Sequence, residues 1–286
     1  GIRDYKVTGV QTCALPISSL ARSLAAPLPR QPQLPTSEAA AREWQTTRRP
    51  VLRRLVKAPH VEPHAQQRDR RRAGSADVQF FLVTPFPGWT IPAVVFTPAN
   101  PRGTTLVVAD RGRSNLADVV QTLLGSQEQV CVADLLFTGE SSQGNRDYLF
   151  GLLFSAVGER PLGVAASQVS GLTHWLAQHA GRERISVWAE GPRVSLSVLT
   201  AAALDPPTLG DVHLHQSLGS LHEILERNLR VEEGVEFFCF GLLEEFDVLQ
   251  LAALAAPRKV EFGELSPRQR DGLSPVDSFR KLLESR

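Results

Sequence analysis

From Asp77 onward, short runs of β-branched and aromatic residues alternate with stretches of helical period, and that alternation fixes the class of fold. Residues 78–84 and 90–97 flank the turn Pro85-Phe86-Pro87-Gly88 and predict an antiparallel hairpin. Further strands are expected at 104–109, 129–135, 185–189, 212–215 and 259–262. Helices are expected at 117–124, 163–179, 194–204, 220–228, 246–255 and 276–285. In the second of these, Val164, Val169, Leu172, Trp175 and Leu176 recur near helical spacing. Successive strand, helix and strand segments pack as right-handed crossovers with parallel strands. The expected architecture is α/β: a mostly parallel sheet with an antiparallel N-terminal edge hairpin and helices on both faces.

Residues 18–75 break this pattern. They are rich in Pro, Ala and Arg, with one helix expected from an N-cap at Ser37 through Trp44 to about Arg49, ahead of Pro50. The remainder reads as an arm, which divides the chain into an arm at 18–75 and an α/β domain at 76–286. Arg48, Arg49, Arg53, Arg54 and the run Arg68 to Arg72 carry no interleaved stacking aromatics, so a solvated arm is preferred to a nucleic-acid surface. The whole chain holds 31 Lys and Arg against 30 Asp and Glu, a net charge of +1, so no nucleic-acid partner is expected. No apolar run is long enough to span a bilayer, so no membrane partner is expected either.

Residues 1–17 (Gly1 to Ile17) resemble the translation of a sequencing-library adapter and are set aside, together with Cys13. There is no methionine, and the chain is expected to be a fragment of an open reading frame. Cys131 and Cys239 lie in apolar runs and are expected to be buried thiols.

Several segments in order carry a family resemblance. "WTIPAVVFTPANPRG" (89–103), "VCVADLLFTGES" (130–141), "AAALDPP" (201–207) and "EEFDVLQLAALAAPRKV" (244–260) resemble segments of the α/β-hydrolase superfamily, in its acetylxylan esterase and dienelactone hydrolase-like branch. The resemblance covers roughly Asp77 to Phe262 and implies an α/β-hydrolase fold. It also implies ester chemistry on a small ester or an acetylated carbohydrate, with no cofactor and no metal.

A hydrolase of that fold presents its serine on a tight Gly-x-Ser-x-Gly turn between strand and helix. Matched by position, Ala189-Glu190-Gly191-Pro192-Arg193 puts Gly191 at the nucleophile, so no hydroxyl is available to attack. Pro192 lacks the N–H that normally donates one oxyanion-hole bond, a loss worth about 3 kcal/mol of transition-state stabilisation. The segment that would supply the other donor, usually His-Gly, is Asp110-Arg111-Gly112 followed by Arg113. A carboxylate at Asp110 opposes developing negative charge, and Arg111 or Arg113 could offset it.

"HQSLG" (215–219) offers a rival turn with Ser217 as nucleophile. Acid candidates later in the chain are Glu264, Asp271 and Asp277, the last also a candidate helix cap. The histidines stand at 60, 64, 174, 179, 213, 215 and 222, and the family's general base would follow the last strand, beyond all of them. The family's eighth strand is therefore expected to be missing, leaving the domain C-terminally incomplete. Asp134 is expected to be structural, accepting turn N–H bonds near Gly139. His213 and His215 share a strand face but lack a third ligand for a metal.

The expectation is a catalytically degenerate or truncated α/β-hydrolase domain with a structural or binding role. A second hydrolase domain elsewhere in a longer protein would fit that expectation. The alternative is an active acetyl-esterase-type enzyme using Ser217, with its base in sequence not present here. The compartment is left open, with secretion or the periplasm following only from the esterase reading.

Overall fold

The computed structural model describes residues 17–28, 33–264 and 267–284, without the side chains of residues 17, 18 and 267–271. Most of the adapter-like segment and the side chain of Asp271 lie outside the described residues. Eight strands form one sheet in the order β1-β2-β3-β5-β4-β6-β7-β8. They are β1 (His64–Ala73), β2 (Ala76–Thr84), β3 (Ile91–Thr97), β4 (Gly103–Ala109), β5 (Glu128–Ala133), β6 (Ile185–Glu190), β7 (Leu209–His215) and β8 (Val260–Phe262). β1, β2, β3 and β5 pair antiparallel in turn, while β5, β4, β6, β7 and β8 run parallel. Among the described residues ten α-helices accompany them: α1 (Ile17–Ala25), α2 (Glu38–Val56), α3 (Ala117–Gly125), α4 (Asp147–Ala156), α5 (Pro161–Ala180), α6 (Pro192–Ala203), α7 (His222–Glu226), α8 (Leu242–Glu245), α9 (Val248–Ala255) and α10 (Pro267–Glu284). The fold is the expected α/β architecture.

Strand alternation sorts the side chains onto two faces. Leu106 and Val108 of β4, Cys131 and Ala133 of β5 and Val187 and Ala189 of β6 join the main core with α5, α6 and α9. Val107 and Ala109, Val130 and Val132 point the other way, against Leu116 and Val120 at α3. Burial pushes the thiol of Cys131 up to about 12 and that of Cys239 up to about 11, so both are inert packing groups. Among the described residues no single helix is long and apolar enough to cross a membrane.

Three expectations are corrected. The segment at 18–75 is not an arm with one helix, because it supplies α1, α2 and the edge strand β1. β1 is exposed along its length and is held by backbone pairing to β2 across the turn at Gly74 and Ser75. Its run Arg68 to Arg72 is an edge strand with a register shift between Gln67 and Asp69, and charge on an edge discourages pairing with other chains. Second, α2 does not stop before Pro50. Pro50 removes one helical bond, but Leu52 and Val56, one turn apart, are fully buried beyond it, and their burial holds the helix together. Third, the last helix begins at Pro267 rather than 276, so Asp277 lies inside it, 3.8 Å from Arg280, and caps nothing.

α2 is fastened to the domain by Gln45, which is buried. Its Nε2 donates to the carbonyls of Ala253 (3.1 Å), Leu254 (3.3 Å) and Ala256 (2.8 Å) at the end of α9. Helix ends leave carbonyls in need of donors, and the amide shares these three with the Arg49 guanidinium, on Leu254 and Ala256, and with the Ala256 N–H, on Ala253. Gln45→Ala is expected to lower unfolding free energy by about 1–2 kcal/mol in urea titrations, since a buried amide's hydrogen bonds are lost while the acceptors keep their other donors. A change within error of zero would mean that water replaces the amide.

Candidate functional site

The C-terminal ends of β4, β5 and β6 lead into loops that bring Asp110, Asp134 and Gly191 close together. β6 passes into α6 through a single residue, Gly191, at φ +108° and ψ 154°. A Cβ at Gly191 would stand 2.4 Å from Asp110 Cγ, so only glycine fits with that carboxylate in place. The Gly191 N–H donates to the carbonyl of His215 at 3.0 Å, tying the turn to the end of β7. Pro192 is the first residue of α6, a position where its fixed φ suits the helix and its missing N–H costs the helix nothing. The same residue leaves the turn without its donor.

Asp110 occupies the resulting space. Its Oδ1 accepts the Val194 N–H at 2.8 Å and its Oδ2 the Arg193 N–H at 3.2 Å, so a side chain from the end of β4 caps α6. Its own N–H donates to the carbonyl of Glu190 at 2.9 Å. Burial pushes the Asp110 carboxyl up to about 6, opposed by the two N–H bonds and by the nearby Arg193 charge, and reinforced by Glu236. Above Asp110, Arg193 forks onto the buried Glu236 with Nε and Nη2 each at 2.9 Å, and Nη2 also reaches the Phe137 carbonyl at 3.3 Å.

The neighbouring loop is equally committed. Gly112, at φ +80°, donates its N–H to Ala109 at 3.0 Å, and the Arg113 N–H donates to Asp134 Oδ1 at 2.7 Å. Asp134 is 1% exposed and also accepts from Arg113 Nη1 at 2.8 Å and from the Glu140 N–H at 3.0 Å. Its acceptance of a turn N–H beside Gly139 matches the structural role expected of it. Arg111 is exposed on the surface. Every N–H named here already has a partner within the chain, which leaves little to stabilise an oxyanion.

The fold is α/β-hydrolase-like. A structure from Bacteroides fragilis described as a candidate acetyl xylan esterase superposes with a TM-score of 0.77 at 15% identity, over 94% of this chain and 79% of that one. A methylesterase superposes with a TM-score of 0.61 at 17% identity, over 88% of this chain and 58% of that one. A glucuronoyl esterase from Teredinibacter turnerae gives 0.52 at 17% identity, over 89% and 77%. This chain therefore spans about three fifths of the methylesterase. No family model and no curated protein sequence matches.

The other candidate residues lie on separate elements: Ser217 after β7 and Glu264 after β8. Ser217 is half-buried in residues 216–221 between β7 and α7, not on a one-residue strand-to-helix turn; the residue there with positive φ (56°) is Gln216. Ser220 is bound to a carboxylate: its Oγ donates to Asp247 Oδ2 at 2.6 Å and accepts the His222 N–H at 3.1 Å. Asp247 is itself the N-cap of α9. His215 stacks on Trp188 with ring centroids 3.9 Å apart, and burial lowers its pKa against the pull of Glu190 and Glu264. Glu264 is exposed, and His213 pairs with Glu261 at 2.7 Å. Among the described residues no three His, Cys, Asp or Glu side chains converge as a metal site.

Glu236 and Asp247 were not anticipated from the sequence. The single signal for Glu236 is an acid between Val235 and Phe237 in an apolar run; for Asp247 it is the capping pattern with Gln250 three residues later.

Two outcomes are expected. Gly191→Ala places a side chain at positive φ and against Asp110, and is expected to cost about 1–3 kcal/mol for the backbone alone. In an Asp110→Gly background that cost is expected to shrink by about 1 kcal/mol or more, since the overlap is gone. Additive effects in a double-mutant cycle would show that the two residues do not compete for the space. The second outcome concerns pH. Because the folded carboxyl of Asp110 titrates near 6, above its unfolded value near 3.8, the native state binds the extra proton between those limits. Its contribution is thus present below about pH 4 and is lost as pH rises to about 6, on the order of 2–3 kcal/mol in total. The stability difference between wild type and Asp110→Asn should fall across that window in denaturant titrations, and parallel profiles would contradict the assignment.

Proposed function

We propose that this domain is a catalytically degenerate α/β-hydrolase-fold module that binds rather than hydrolyses, its esterase-like framework retained without the esterase's reacting groups. The observation that carries this reading is the Asp110 carboxylate seated beside Gly191 and across the start of α6. A working elbow directs a hydroxyl and vacant N–H groups at a substrate carbonyl, so that negative charge can develop against waiting donors. At this elbow the hydroxyl is missing, Pro192 supplies no donor, and the free N–H groups of α6 already hold a resident carboxylate. Substrate oxyanion and Asp110 would compete for one place with charge of the same sign. The partners this reading admits are a small ester or an acetylated carbohydrate, drawn from the esterase-like fold, or another domain of a longer protein.

The reading is tested with 4-nitrophenyl acetate. Hydrolysis by the protein is expected to match the rate of a folded non-enzymatic control, with no change in Ser217→Ala. Turnover that exceeds the control and disappears in Ser217→Ala would establish the active-esterase alternative in its place.

A further inference from the structure

The face of the sheet that α3 covers only in part continues into an open groove of about 700 Å³, a size suited to a small organic ligand. Its floor is the outward row of three strands, with Phe80 of β2, Val94 and Phe96 of β3 and Val132 of β5. The trough extends alongside α3 past Leu116 and Val120, sharing Phe96 and Val132 with a second hollow of about 490 Å³. The two adjoining hollows expose more apolar than polar surface. The rim is different: four arginines line it, two from β1 and two from the loop after β4.

The rim charges do not cancel internally. Arg113 is held by Asp134 at 2.8 Å and Glu140 at 2.5 Å, which consumes both acids in the lining. Arg71 pairs with Asp69 at 2.7 Å and lies over the Phe80 ring at 5.2 Å. Arg72 and Arg111 remain, both exposed and neither with a side-chain partner among the described residues. Two uncommitted guanidiniums above an apolar trough select a ligand with an anionic head and a hydrocarbon body. The floor strands offer no side-chain donor to a sugar's hydroxyls, which would be left unpaired there.

We propose that this groove binds a linear aliphatic carboxylate, its chain lying over Phe80, Val94 and Phe96 toward α3 and its carboxylate held by Arg72 and Arg111. The site lies on the face of the sheet, apart from the turn at Gly191, and stands whether or not that turn has any activity. The contribution of the tail grows with each buried methylene, while the head adds charge-assisted bonds that need the guanidiniums.

The test is isothermal titration of the intact protein with octanoate, octanamide and acetate. Octanoate is expected to bind with Kd below about 1 mM; octanamide, with the same tail and no charge, at least about tenfold more weakly; acetate, with the charge and no tail, not measurably. The double variant Arg72→Gln, Arg111→Gln changes only exposed side chains, and its circular dichroism and melting are expected to match wild type. In it octanoate is expected to weaken by at least about tenfold while octanamide binding stays the same. The proposal is overturned if octanoate does not bind in the millimolar range, or if it binds the double variant as well as it binds wild type. Hydrolysis of 4-nitrophenyl acetate, by contrast, would remove the non-hydrolytic reading and leave this one standing.

Discussion

The capping of α6 by Asp110 is the contact on which the upper surface of this protein depends. A strand that turns into a helix in one residue must place that residue where side chains are disfavoured, and the first N–H groups of the helix then point at whatever lies across the turn. Here that is the carboxylate from the end of β4, drawn in by two N–H bonds and the positive end of the helix. Desolvation works against it strongly enough to push its titration up to about 6, so the interaction is a compromise between hydration lost and hydrogen bonds gained. Arg193 and Glu236 complete the enclosure. Glu236 is buried and Arg193 half-buried beside Asp110, so removing Arg193 would strand the Glu236 charge.

A second carboxylate performs the same service one loop away. Asp134 gathers the Arg113 and Glu140 backbone and the Arg113 guanidinium, which fixes the loop after β4 against the loop after β5. The approach is close enough that a Cβ on Gly112 would stand 2.3 Å from the Cα of Gly139. With Asp110 turned inward and Arg113 clamped sideways, Arg111 between them is directed to the surface and to the groove over β2 and β3. The loop that in a hydrolase would face substrate thus divides its residues between a helix cap and an unrelated cleft.

The strands from β2 to β7 were legible because each has to bury a row of apolar side chains, and burial imposes a period that sequence displays; the short β8 buries only Phe262 and was read from its apolar ends. β1 was not, because His64 to Ala73 buries no apolar row and is held by backbone pairing with surface contacts such as Arg70 to Asp77 and Arg71 over Phe80, which leave no periodic signature. The end of α2 was hidden for the opposite reason: Pro50 is a strong local stop signal, and it is overruled by contacts of Leu52 and Val56 with residues far along the chain. At the site, the glycine and proline between β6 and α6 could be read directly, since they depend on residue type. That Asp110 would turn to cap α6, and that Arg193 would find Glu236 across 43 positions, could not, since both are choices among partners made by the tertiary fold.

Functional sites tend to break local rules, and the fold then supports the strain. The turn after β6 breaks none. Its positive φ falls on glycine, its helix opens with proline where proline is favoured, and its orphan N–H groups meet a carboxylate. A serine at Gly191 would carry a Cβ into a disfavoured conformation and displace Asp110, and the helix would then lose its cap. The residues that stand at this turn are therefore those that a one-residue passage from strand to helix accommodates with least local conflict.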